Sequence, residues 1–123
     1  MGLWNSNTLR WTYQRCSEEY VDGITLTASS GPLSLAGLSV AHATWKSQII
    51  DYSLVDGSGN QRVGRLLVTT DGTDISISHD FTETADVLVS FDAIVNGANV
   101  DIRYTAGANG GATMFADVKR LRS

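Results

Sequence analysis

The chain has 123 residues and a mass of 13.2 kDa, the length of one domain, and enough to bury roughly two thirds of its unfolded surface without covalent staples. Apolar residues make up 42% and charged residues 18%, which excludes the disordered and collagen-like classes. The formal net charge of −4 and pI near 4.9 speak against a general nucleic-acid binder, so no nucleic-acid partner is expected.

A single cysteine, Cys16, excludes an intramolecular disulfide framework and offers no thiol pair to zinc. A small, buried apolar role is expected for it. The N-terminus has neither the basic region nor the apolar core of a signal peptide. No stretch approaches the roughly 20 apolar residues of a membrane helix. A soluble chain without a membrane partner is therefore expected.

Residues 1–22 read as an arm and 23–123 as a β domain. The arm holds Trp4, Trp11, Tyr13 and Tyr20 with no clean period, and one short strand is predicted over Leu9–Gln14. From Ile24 the period is two, with Ile24, Leu26 and Ala28 alternating with Thr25, Thr27 and Ser29. After a break at Ser30-Gly31-Pro32 a short segment covers Leu33–Leu38. A long strand follows over Ala43–Val55, with Ile50, Tyr52 and Leu54 on one face. Asp56-Gly57-Ser58-Gly59-Asn60 is a turn by composition, and Val63–Thr70 returns.

Asp71-Gly72 predicts a two-residue primed hairpin turn, because glycine tolerates positive φ. A strand over Asp74–Ser78 and a polar loop over His79–Ala85 follow. Asp86–Val95 places Val87, Val89, Phe91 and Ala93 on one face. Asn96-Gly97 is the second hairpin signal, leading to Val100, Ile102 and Tyr104. The Gly-rich loop Ala106–Gly111 is expected to close a last hairpin onto Ala112–Leu121. Eight or nine such strands predict an all-β antiparallel meander forming a sandwich or a small barrel.

Candidate chemistry is sparse. Gly37-Leu38-Ser39-Val40-Ala41 fails as a nucleophile elbow at its last position. Asp71, Asp74, Asp80, Glu83 and Asp86 beside His79 offer oxygen ligands, but Asp is also the ordinary turn residue. No metal and no cofactor is expected. The Asp56–Asn60 turn lacks the Gly and the acidic residue that a calcium loop carries later. Gly107–Gly111 lacks the Lys-Ser/Thr of a phosphate loop. Tyr52, Tyr104 and Phe91 alternate in phase with aliphatic residues and read as core. Trp45 and Phe115 stay open between core and sugar stacking, with Trp45 the candidate glycan contact.

The series Ile50-Asp51-Tyr52-Ser53-Leu54, Arg62-Val63-Gly64-Arg65-Leu66-Leu67-Val68 and Asp71-Gly72-Thr73-Asp74-Ile75-Ser76-Ile77 resembles a β domain of tailed-bacteriophage virion proteins, of the tail-fibre, appendage or capsid-decoration type. Val100-Asp101-Ile102-Arg103-Tyr104 and Ala112-Thr113-Met114-Phe115 fit the same pattern. About 70 residues carry the resemblance, and no catalytic residue transfers with it. It implies a non-enzymatic structural protein located in the virion. The implied partners are other virion proteins and copies of itself as a homotrimer. The expected assembly contacts are Trp4, Trp11 and Tyr13 in the arm with Arg120 and Arg122 at the basic end. The alternative is a carbohydrate-binding, lectin-like module for a host surface glycan.

Overall fold

The computed structural model describes residues 16–122 except 36, 109 and 110, and for residues 16–18 the backbone alone. The arm residues Trp4, Trp11 and Tyr13 and the strand expected over Leu9–Gln14 lie outside the described residues. So does the packing of the Cys16 side chain.

Nine strands and no helix form among the described residues: β1 Cys16–Leu26, β2 Ser30–Ser34, β3 Val40–Ala41, β4 Trp45–Asp56, β5 Gln61–Thr70, β6 Ile75–Glu83, β7 Val89–Asn96, β8 Asn99–Ala106 and β9 Ala112–Arg122. They make two antiparallel sheets. One has the order β1-β9-β4-β5-β6; in the other, β8 pairs with β2, β3 and β7. The result is a small sandwich, not a closed barrel.

The period-two alternation fixes which side of each strand is buried. Ile50, Tyr52 and Leu54 of β4, Leu66 and Val68 of β5, and Met114, Ala116 and Val118 of β9 face inward. They meet Val100, Ile102 and Tyr104 of β8 and Val89 and Ala93 of β7. Leu35 and Leu38, in the connection after β2, are buried in the same core. Tyr104 keeps its polar tip satisfied inside, its hydroxyl accepting the Thr27 N–H at 2.9 Å.

Four differences from the sequence reading have physical reasons. β1 begins at Cys16 and pairs with β9 along its length, so a strand crosses the expected arm boundary at residue 22. The expected hairpin of the last two strands does not form. β8 and β9 lie in different sheets, and β9 is inserted between β1 and β4. A local turn signal cannot say which strand its partner is.

In the two hairpins the Gly sits one place earlier in the turn than expected. Asp71 donates its N–H to the Asp74 carbonyl at 3.3 Å, leaving Gly72 and Thr73 as the central pair, with Gly72 at φ +95°. Gly97 and Ala98 likewise lie between the paired Asn96 and Asn99. Finally, β6 runs through the expected polar loop to Glu83, because His79, Phe81 and Glu83 continue the inward phase of Ile75 and Ile77.

Candidate functional site

The acidic residues of the 71–86 stretch do not converge, and no group of three His, Cys, Asp or Glu suited to a metal exists among the described residues. Asp71 caps its own turn: its Oδ1 accepts the N–H groups of Thr73 at 2.9 Å and Asp74 at 2.8 Å. Those backbone bonds hold its carboxyl below the usual range. Asp86 accepts the Leu88 N–H at 2.8 Å. Asp80 points outward, whereas Glu83 turns inward to Arg62.

His79 belongs to a polar and aromatic seam between the two sheets. Its Nε2 shares a hydrogen bond with the Tyr52 hydroxyl, and its ring lies 4.6 Å from Phe81 and 5.4 Å from Phe91. Burial, then the Arg62 charge, lowers its pKa against the opposing pull of Asp80. A neutral imidazole is the form this seam favours. Burial likewise raises the Tyr52 phenol, so the pair is held neutral.

Arg62 organises the seam. It is only 4% exposed, donates from Nε to Glu83 Oε1 at 2.9 Å and from one terminal nitrogen to the Val89 carbonyl at 2.7 Å, and lies 4.2 Å from the Phe81 ring centroid. It thereby ties β5, β6 and β7 together. His42 is elsewhere, its Nε2 2.9 Å from the Gly97 carbonyl oxygen. The two histidines serve different turns and seams.

The surface of interest is the outer face of the five-stranded sheet. The register lines up Tyr20, Asp117, Asp51, Arg65 and Asp80 in one row across it, and Phe115, Ser53, Val63 and Thr82 in the next. Tyr20 is 64% and Val63 56% exposed, with Val55, Leu67 and Leu121 also open to solvent. Two open depressions of about 600 and 390 Å³ adjoin at Asp51, Val63 and Gly64. Arg65 reaches Asp51 through Nε at 2.7 Å and through a terminal nitrogen at 3.3 Å, so one row carries an ion pair while Phe115 and Val63 stand among Ser53 and Thr82 in the next. Exposed Tyr20, Val63 and Leu67 set among charged groups suit contact with another macromolecule.

Trp45 is half-buried, with the Arg122 guanidinium 5.6 Å from its ring centroid, so these two candidates meet each other at the sheet's end. Arg120 points into the chain's own interior, donating to Glu19 Oε1 at 2.6 Å and to the Gly37 carbonyl at 3.4 Å. Phe115 lies half-buried on the outer face. The exposed apolar side chains on this outer face were not foreseen from the sequence. Their signal was the unbroken run Leu66-Leu67-Val68, which on a strand places apolar groups on both faces.

No family model matches the chain, and no curated protein matches it. Among solved structures, it is similar to the tailspike protein of Acinetobacter phage vB_ApiP_P1, at 20% identity and a TM-score of 0.46, over 98% of this chain and 24% of that one. The chain thus spans about a quarter of that protein's length.

Proposed function

We propose that the chain is a non-enzymatic structural component of a bacteriophage virion, a module of a tail fibre, appendage or capsid decoration held in place by neighbouring subunits. The observation that carries the assembly role is the outer face of the five-stranded sheet, where Tyr20, Val55, Val63 and Leu67 stand exposed above strands whose other face forms the core. Large apolar side chains left open on a sheet's outer face fit a subunit that covers them with a partner. The resemblance of residues 50–121 to virion β domains supplies the particle. Docking through the arm residues Trp4, Trp11 and Tyr13 belongs to the same proposal.

Quantitative mass spectrometry of purified particles from the source culture tests this reading. The chain is expected at a fixed ratio to the major capsid protein, with few copies for a tail appendage and hundreds for a capsid decoration. Its absence from particles overturns the proposal. The second reading, glycan binding, is favoured by Tyr20, an open aromatic ring beside Asp117 and Phe115 in the larger depression. A glycan array probed with the free chain, and with Tyr20→Ala and Trp45→Ala variants, decides it.

A further inference from the structure

β6 ends the five-stranded sheet, and it differs from the borders β1 and β2; β7, which borders the other sheet, is as regular, its eight residues in unbroken register with β8. β1, at the opposite end, is broken by a bulge between Val21 and Ile24. β2 contains Pro32, which has no N–H to offer, and its register shifts between Ser30 and Leu33. Such features blunt an edge against pairing. β6 has none of them: nine residues, Ile75–Glu83, run in unbroken register with β5 and include no Pro, Gly or Lys.

The phase of its hydrogen bonds follows from the two ends of the ladder. Thr84 donates to the Gln61 carbonyl at 2.9 Å and Asp71 to the Asp74 carbonyl at 3.3 Å. Bonded pairs alternate in an antiparallel ladder. Ser76, Ser78, Asp80 and Thr82 therefore bond to β5, while Ile75, Ile77, His79, Phe81 and Glu83 turn their backbone groups away from it. Phe81, 44% exposed, stands on this border.

We propose that β6 is a self-pairing edge: it joins β6 of a second copy antiparallel, with His79 on the two-fold axis, making the two sheets continuous. This register sets outward-turned backbone groups against each other, so the three central pairs exchange about six N–H···O bonds. It places Ile77 opposite Phe81 of the second copy, covering the exposed ring, and Ser78 opposite Asp80. Ser76 then meets Thr82. Ile75 meets Glu83, whose charge is already bonded to Arg62. Sliding the register by two residues one way opposes Asp80 to itself; sliding it the other way sets Ile77 against His79. The register centred on His79 thus keeps like carboxylates apart and seats the exposed Phe81 ring on Ile77.

Sedimentation equilibrium of the full chain over about 1–100 μM, with two substitutions at one exposed position, tests the pairing. The unmodified chain is expected to double its mass as concentration rises. Ser78→Asp sets two new carboxylates against Asp80 across the seam and weakens association at least about tenfold. Ser78→Lys sets opposite charges there and associates at least as tightly as the unmodified chain. A chain monomeric throughout overturns the proposal, as does an assembly that both substitutions weaken alike. A trimer indifferent to both overturns the pairing and leaves the virion reading standing.

Discussion

The two end strands of the larger sheet are fastened by the same chemical device and differ in what that device completes. On each side an arginine of the penultimate strand turns inward and meets a glutamate of the end strand: Arg62 with Glu83 on β6, and Arg120 with Glu19 on β1. Arg62 also bonds the Val89 carbonyl of the facing sheet, so its charge spans three strands. Arg120 is less complete, because its Nε and the Oε1 of its cross-strand neighbour Gln48 are buried without partners. The better-fastened strand, β6, is also the regular one, while β1 carries the bulge. A rigid, well-anchored edge can act as a template; a broken one cannot.

Breaking the two arginine pairs separates their contributions. Arg62→Met strands Glu83 and empties the Val89 carbonyl, an expected loss of about 3 kcal/mol in urea unfolding, most of it restored by adding Glu83→Leu. Arg120→Met removes an orphaned Nε together with its ion pair, and Glu19 is half-exposed. An expected cost of about 1 kcal/mol or less follows. Equal costs at the two sites contradict the contrast.

Gly64 tests how tightly β6 is seated. A Cβ there meets Phe81 Cβ and the Tyr52 hydroxyl at 2.7 Å and the Asp80 carbonyl oxygen at 2.9 Å. Gly64→Ala is expected to cost about 2 kcal/mol by pushing β6 away from β5. An unchanged unfolding midpoint contradicts that seating.

Acid tests the same seam. His79 has a lowered pKa in the folded chain, so the unfolded chain binds the proton more readily. Stability is full above the unfolded value of about 6.5 and falls as pH drops through it toward the folded value. The urea midpoint is expected to decline from pH 7 to pH 5, and His79→Gln flattens that decline. The smallest effect belongs to the outer face. Asp51→Ala breaks an ion pair whose side chains are both more than half exposed, and its expected cost is under about 1 kcal/mol in the same unfolding assay.

Much of the sandwich was legible in the sequence because period-two burial is a local property. Ile50, Tyr52 and Leu54, and Val100, Ile102 and Tyr104, are buried as their alternation indicates. What was not legible depended on partners distant in the chain. β9 lies between β1 and β4 through pairings such as Val21 with Ala116 and Tyr52 with Ala116, and nothing in the loop before it encodes that. The end of β6 was hidden for another reason. His79 and Glu83 are polar residues in inward positions, made compatible with the interior by Tyr52 and Arg62, which lie 27 and 21 residues away. The candidate contact face was hidden because its residues come from five strands, and only their register brings Tyr20, Phe115 and Val63 together.

Backbone amide exchange measured at low and high protein concentration tests most directly the difference between the two edges. The outward amides of Ile77, His79 and Phe81 are expected to exchange quickly when dilute and to become protected when concentrated, while the outward amides of β1 exchange at the same rate in both. Amides of Ile77, His79 and Phe81 that remain unprotected at high concentration, or that change no more than those of β1, contradict the account.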